Sequence, residues 1–569
     1  VRWRNYFVRT DLINDYIRLS VVSVAMGLAV GLAIVGIHEL YVVCAHWVEV
    51  LVAWNRYSII ATAAVGIPVA FFLVDRYSTT KASGGGSHRL LEAYHYEGGE
   101  MTLRDTVVEP VAAALTIGFG GSAGFEGPSL LLGGGIGSLI GQRLGLKPEE
   151  LRVFLLSGAA AGVSAIFKAP LTGIMFALEI PYQRDLSRES FIPATMSSIS
   201  AYLVSVNFLG IERLFPLLPG SLVPRPMMLV HAFLLGLLTA AGGSFFVKMY
   251  EGFGGLKTRL GWRKEIYPVA GGLLLGMMGF LRPEILGVGY ETMREMISGT
   301  LTGNIVGQAL VIIVLKMLAT CLTLNSGGSG GVFVPTLFVG AGLGVIYTNL
   351  FPSAHEPILV VAAMAAILAS ANKTLLTSVA FVSETAGPSS LIITLVAAAT
   401  SYFVSGNISF YEHVQPLDDL IEEEEAVHVL YHLTKKARSQ GRLMEFRVGD
   451  IMATEPFSLR EGTTVSQALK EIRACRQREY PVTRRGMLIG VVKLENLLTV
   501  PENKRRLTIS HTHIDRPTHV TQDGTLEEVV PLLMESGVDC VFIVSNIESM
   551  RLVGIVSETD VMLKLLEIV

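Results

Sequence analysis

The stretch Thr116-Ile-Gly-Phe-Gly-Gly-Ser-Ala-Gly-Phe-Glu-Gly-Pro-Ser-Leu-Leu-Leu-Gly-Gly-Gly-Ile-Gly137 decides how this chain is read. It sets one carboxylate, Glu126, inside glycine-rich apolar sequence. An ionised carboxylate at membrane depth is costly, and chains keep one there when it acts on an ion or proton path. Glycines on both sides let backbone N–H groups turn toward a ligand. Pro128 suits the first turn of a helix that continues through Leu130, Leu131 and Leu132. The stretch therefore predicts a helix N-terminus whose positive end faces an anion or Glu126 itself.

The wider composition agrees with a membrane setting. Of 569 residues, 51% are hydrophobic and only 17% charged, whereas soluble domains carry about a quarter charged residues. Long apolar runs recur at Val21–Val48, Ile59–Val74, Met227–Val247, Ile305–Leu324, Val332–Tyr347, Ile358–Leu368 and Leu391–Val404. Several approach the roughly 20 residues that span a bilayer; the shorter ones suit helices that stop partway, at a binding site. The first run follows Arg2, Arg4, Arg9 and Arg18 and lacks a clear cleavage site, so it reads as a retained span with a cytoplasmic basic flank. The net charge of −4 gives little guide to partners, and no nucleic acid is expected. Cys44, Cys321, Cys475 and Cys540 fit neither a zinc site nor a disulfide framework. No Ser/His/Asp set, metal cluster or phosphate-binding loop stands out, so no enzyme and no metal cofactor is expected.

Five segments are expected. Residues 1–16, with Trp3, Tyr6, Phe7, Leu12 and Ile13 against charges, form an interfacial helix. Residues 17–410 form the membrane domain, and 411–445 a charged, solvated linker containing Glu422–Glu425. Residues 446–500 and 501–569 form two soluble modules, each alternating helix and strand as a small α/β unit. Gly490-Val-Val-Lys-Leu-Glu-Asn496 and Gly554-Ile-Val-Ser-Glu-Thr-Asp560 close them alike. The membrane domain repeats as well: Ser157–Glu179 resembles Met364–Glu384, each with small residues, a Lys, a Leu-Thr pair and a Glu. Glycine-rich loops, Gly120–Pro128 and Gly327–Pro335, precede them at comparable distances. Such duplications enclose sites between two halves. Glu179 and Glu384, at matched positions, read as acceptors for helix ends, and Lys168 and Lys373 as surface caps or snorkelling cations. His88, His95 and His413 lack metal-ligand spacing and read as surface residues.

These residues resemble the CLC family of chloride channels and chloride/proton exchangers, followed by a CBS pair. Gly124-Phe125-Glu126-Gly127-Pro128 is similar to the family's G-K/R-E-G-P loop, Gly331-Val332-Phe333-Val334-Pro335 to its G-I-F-x-P loop, and Tyr411 to its anion-site tyrosine. The resemblance implies an all-α polytopic CLC fold, an inverted repeat of two halves, with a C-terminal α/β CBS-pair domain. It implies a homodimer in membrane lipid, cytoplasmic termini and CBS domains, and one anion path per subunit. Glu126 becomes the gating glutamate. Gly124, Phe125, Gly127, Val332, Phe333 and Tyr411 line the chloride site. Weak N–H and O–H donors suit chloride because a fixed full charge would hold it too long.

Departures from the family bear on mechanism. The family's G-S-G-I-P loop has here only Ala82-Ser83-Gly84-Gly85-Gly86-Ser87-His88, so the coordinating serine is carried to Ser83, with Ser87 as rival. Phe125 stands where the family has a basic residue, and Ile180 occupies the proton-relay position that exchangers fill with an acid. Ile180 favours a chloride channel; a water chain would favour the alternative, a chloride/proton antiporter. A non-conducting anion sensor is a further reading. A CBS-linked cation transporter would call for acidic rings, and the apolar segments supply only isolated carboxylates. In the tail, Ser557 and Asp560 match the G-x-x-[ST]-x-x-D ending that holds adenosine nucleotides, while Lys493 and Asn496 depart from it. Pro481 and Val482 complete the tentative ATP, ADP or AMP site. No cofactor is required for transport itself.

Overall fold

The structure is a computed structural model. It describes every residue except 1, 80–84, 212, 216–224, 301–302, 355, 417–429, 431–432, 435–436, 438–442, 444–445, 455, 473–478, 494–495, 498–499, 501–506, 512–513, 534–539, 547 and 569. The chain divides into two compact units, Val1–Asp419 and Leu420–Val569.

The first unit is built of helices that pair between two halves, each partner lying roughly two hundred residues later in the chain. Numbered in chain order, α1 (Arg2–Trp54) pairs with α9 (Pro226–Leu260), and α2 (Ser58–Tyr77) with α10 (Ile266–Leu281). Next, α3 (Gly86–Tyr96) pairs with α11 (Tyr290–Ser298), and α4 (Leu103–Gly118) with α12 (Ile305–Asn325). Then α5 (Glu126–Arg143) pairs with α13 (Phe333–Leu350), and α6 (Pro148–Phe167) with α14 (Pro357–Asn372). Last, α7 (Pro170–Glu179) pairs with α15 (Leu375–Ala386), and α8 (Phe191–Leu209) with α16 (Leu391–Val404). Among the described residues, 7 helices are long and apolar enough to cross a membrane. Two of them, α6 and the stretch Arg188–Leu209, are missing from the apolar runs read in the sequence, because Ala, Gly and Ser dilute them. α1 runs unbroken through residue 16, where a separate interfacial helix was expected. No glycine or proline occurs before Gly27 to stop it.

Small residues set the packing inside each half. A Cβ on Gly133, Gly158 or Gly162 would strike the backbone of the facing helix, so α5 and α6 lie backbone to backbone. Two reciprocal contacts join the halves. The Glu179 carboxylate accepts from Leu376 N–H (2.7 Å), Thr377 N–H (2.7 Å) and the Thr377 hydroxyl (2.6 Å) at the start of α15. Glu384 does the same for α7, through Leu171 N–H (2.9 Å), Thr172 N–H (2.7 Å) and the Thr172 hydroxyl (2.7 Å). Each carboxylate fills the unpaired donors of a helix N-terminus in the other half. Lys168 and Lys373 end α6 and α14 in left-handed conformation, with φ of 55° and 56°. Their ammonium groups cap helix C-termini, at Leu209 O (2.8 Å) for α8 and at Tyr402 O (3.2 Å) and the Ser405 hydroxyl (2.6 Å) after α16. Lys373 is buried, so it caps rather than snorkels.

The second unit holds two sheets. One has strand order β2 (Leu459–Arg460), β3 (Glu479–Arg484), β4 (Met487–Lys493). The other runs β1 (Ala453–Thr454), β7 (Leu552–Ser557), β6 (Cys540–Val544), β5 (His519–Thr521). The modules interlock: β1, early in the chain, pairs with β7, and Ile509 N–H returns to Thr463 O (2.9 Å). The boundary drawn at residue 500 is thus crossed in both directions. The expected solvated linker is also corrected. Leu430, Ala437 and Leu443 are buried in one core with Val529 and Val541, while Glu422–Glu425 lie outside the described residues. Leu430, Leu433 and Ala437 recur at i, i+3 and i+7, a helical stripe that the dense charge of the segment obscured.

Candidate functional site

Two loops meet at the centre of the first unit. Gly124 N–H donates to Gly331 O (2.9 Å) and Gly331 N–H to Gly124 O (2.8 Å), a bridge between equivalent residues of the two halves. The bridge brings the N-termini of α5 and α13 together. Phe125 and Val332 precede those helices with matching backbone, φ/ψ of −92°/−5° and −97°/−10°. Two positive helix ends converging on one point make an anion cradle.

Glu126 fills that cradle. Its side chain is completely buried. Its Oε1 accepts from Phe333 N–H at 2.5 Å, and the N–H groups of Glu126 itself and Val334 also face the carboxylate. Its Oε2 has no hydrogen-bond partner among the described residues. A Cβ on Gly331 or Gly124 would run into this carboxylate, which is why both positions need glycine. Phe333 is held in an aromatic cage by Phe167, Phe176 and Phe381, with ring centroids 5.5, 5.8 and 5.3 Å away. Val332 and Phe125 are buried beside it.

Tyr411 belongs to this core rather than to a linker, and is buried among the same residues. Its hydroxyl lies beside the Ser87 side chain. Ser87, in the first turn of α3, also lies against Gly127. Of the two candidate serines, Ser87 is therefore the one beside Tyr411, while Ser83 lies outside the described residues. His88 follows Ser87 and packs edge-on to Tyr411, with centroids 5.2 Å apart. The expectation of surface histidines is corrected for His88 and His95. Both are half-buried and bound to backbone carbonyls, at Phe410 and Pro181. His413 is exposed.

Ile180 is fully buried after α7, and its carbonyl accepts from the Gln415 side chain at 2.9 Å. The same Gln415 amide also reaches Tyr182 O (3.3 Å), and the Tyr182 hydroxyl meets that of Tyr94 (3.3 Å). Sequence reading missed several buried ionisable groups, among them Lys316, Glu109 and Arg89. Lys316 donates to Ile285 O (3.0 Å) and Gly287 O (2.8 Å) and sits over the Phe338 ring. Glu109 and Arg89 lie between α3 and α4. A lone charge within an apolar run, Lys316 in Ile305–Leu324, was the available signal.

In the tail, Ser557 N–H and hydroxyl both donate to Asp560 Oδ2, at 2.9 and 2.7 Å. Lys493 forms an ion pair with Glu479 at 3.3 Å. Pro481 and Val482 are buried in β3. Asn496 lies just after β4. Outside the membrane helices, two hydrogen bonds from Arg484 (2.5 Å each) hold the Glu461 carboxyl below the usual carboxylate range.

The comparisons agree with this architecture. The family described as voltage gated chloride channel matches residues 63–406, and the CBS domain family matches 448–503 and 510–567. The voltage-gated ClC-type chloride channel ClcB of Citrobacter koseri is 28% identical over 331 residues, 55% of this chain and 77% of that protein. A CLC-type fluoride/proton antiporter structure superposes with TM-score 0.63 and 22% identity, covering 70% of this chain and 98% of that one. A slow cyanobacterial Cl−/H+ antiporter superposes with TM-score 0.62 and 22% identity, covering 68% and 94%.

Proposed function

Because the chain belongs to the voltage-gated chloride channel family and carries two CBS domains, we propose that it moves chloride across a membrane through a site that Glu126 opens and closes. One observation carries the reading: the Glu126 carboxylate occupies the point where the α5 and α13 N-termini converge. Deprotonated, it supplies the negative charge those helix ends attract. Protonated, it loses that charge and yields the cradle to chloride. Phe333 N–H, Tyr411 and Ser87 then supply N–H and O–H donors, with Gly124, Gly127 and Val332 shaping the backbone around the ion. The test is chloride release from liposomes. Wild type speeds up as pH falls, and Glu126→Gln is already fast at high pH, so that most of the rise is lost. An unchanged pH profile in that variant would overturn the gate.

Ile180 supports the channel form of this proposal, since an apolar side chain carries no proton. The reversal potential under a pH gradient then tracks chloride alone. The hydroxyl and amide groups around Ile180 favour the second reading, an antiporter, because they suit an ordered water chain; a reversal potential that moves with pH selects it. The fluoride/proton and Cl−/H+ antiporter structures above lend this reading support by fold alone.

The working assembly we propose is a homodimer in lipid with termini and CBS domains on the cytoplasmic side. α8 and α16, equivalent in the two halves, both expose apolar residues, among them Ile199 and Leu203 on one and Leu395 on the other. For the tail, one adenine nucleotide site is proposed at Ser557 and Asp560, where a carboxylate can accept ribose hydroxyls. Lys493 is engaged by Glu479, which argues against a second site. Calorimetry with ATP and AMP tests this: one site per chain is expected, and no heat with either would remove it.

A further inference from the structure

We propose that His88 is a proton-binding group of the transport site, filled together with an anion held at Ser87 and Tyr411. The proposal rests on the reading above that those two hydroxyls hold the anion. The geometry starts at Nε2, which lies 3.0 Å from Phe410 O. A carbonyl only accepts, so Nε2 carries the hydrogen and the neutral ring leaves Nδ1 as a bare acceptor. Nδ1 is buried and has no partner among the described residues. It faces the first turn of α3, where a Cβ built on Gly85 would lie 3.6 Å from it. Two residues after Gly85 comes Ser87, whose side chain lies beside Tyr411.

A buried acceptor without a donor is a standing cost. A proton on Nδ1 would relieve it, but would place a full positive charge at the positive end of α3. The surroundings offer little compensation. Arg89, next on the same helix, turns to Glu97 at 2.6 Å and toward Asp105 at 4.0 Å. The segment after α16 brings Tyr411 and His413. α6 brings Arg152, over the Tyr94 ring. α5 brings Glu126, already bound to Phe333. Once Glu126 is protonated, the counter-charge is an anion in the site itself. Each then favours the other: chloride strengthens proton binding at His88, and the proton strengthens chloride binding by the same factor. This linkage needs no acid at Ile180, and it is distinct from the protonation of Glu126.

The experiment is chloride calorimetry on the purified full-length protein at about pH 7.5 and about pH 5.5, which bracket histidine titration. On the Glu126→Gln background, chloride should bind about tenfold tighter at the lower pH, the gain of one charge-assisted donor. Adding His88→Gln, whose amide can still donate to Phe410 O, should abolish the tightening between the two pH values. Tightening that survives in the double variant overturns the proposal. Absence of chloride binding in Glu126→Gln alone would overturn the anion site as well, which separates the two failures. As a check free of substitution, the side-chain nitrogen resonances of His88 are followed in labelled wild type. Chloride added at about pH 6 should move Nδ1 from a bare to a protonated signature. An unmoved Nδ1 resonance overturns the proposal.

Discussion

The two glycine-rich loops have the same backbone and different side chains. Phe125 and Val332 share their dihedrals, Gly124 and Gly331 pair with each other, and α5 and α13 begin one residue after each N-cap. Yet the first loop presents Glu126 and the second Phe333. The shared backbone makes a cradle for negative charge; the single unshared carboxylate turns the cradle into something that can be occupied or vacated. The same contrast runs through the whole unit. Glu179 with Glu384, and Lys168 with Lys373, match between halves, and all four close helix ends. Glu126, His88 and Tyr411 have no counterparts of their kind, and all three gather at the site. Matched residues hold the fold, and unmatched ones are those proposed to serve the ion.

Breaking the unmatched member should have the largest effect on transport and a small one on stability. Glu126→Gln keeps the volume and the donors around it, so liposome flux should be fast already at high pH while the unfolding midpoint barely moves. A large fall in the midpoint would place Glu126 among the structural residues. Breaking matched members should do the reverse. Glu179→Ala and Glu384→Ala each strand two backbone N–H groups and a hydroxyl, at a cost of about 2–4 kcal/mol. Detergent unfolding curves should show similar losses for the two, and unequal losses would count against equivalence. Lys373→Met removes a helix cap and should cost about 1–2 kcal/mol, read the same way. In the tail, Asp560→Ala should abolish nucleotide heat in calorimetry, and Lys493→Ala should leave it in place.

The smallest effect concerns pH and the exposed pair of Arg484 and Glu461. Glu461 has a lowered carboxyl pKa in the fold. Its contribution is present above the ordinary carboxylate range and is lost as pH falls through the lowered value. Solvent screens such a pair, so Arg484→Ala should shift the acid unfolding of the tail only slightly.

Much of the site was legible because its signals are local. Glycines flanking Glu126, Pro128 in the first helical turn, and a second loop of the same shape at Gly331–Pro335 are short-range patterns. They announce helix starts wherever they occur. Ser87 was harder, since Gly84-Gly85-Gly86 gives either neighbouring serine a plausible turn, and only its place beside Tyr411 singles it out. His88 was misread because a histidine in mixed sequence looks like a surface residue until a carbonyl more than three hundred positions away is seen beside it. The linker was misread because its charges outnumber the stripe of Leu430, Leu433 and Ala437.

The sequence alone determined the class of protein, the duplication, the two loops and the acid between them. Those follow from hydropathy, spacing and backbone freedom, which act over a few residues. Tertiary structure decided that Glu179 and Glu384 cap each other's halves, that the first tail module lends β1 to the sheet of the second, and that Glu126, Phe333, Ser87 and Tyr411 converge. These are partnerships between distant segments, and a hydrogen bond's energy depends on which donor is near, not on where that donor lies in the chain.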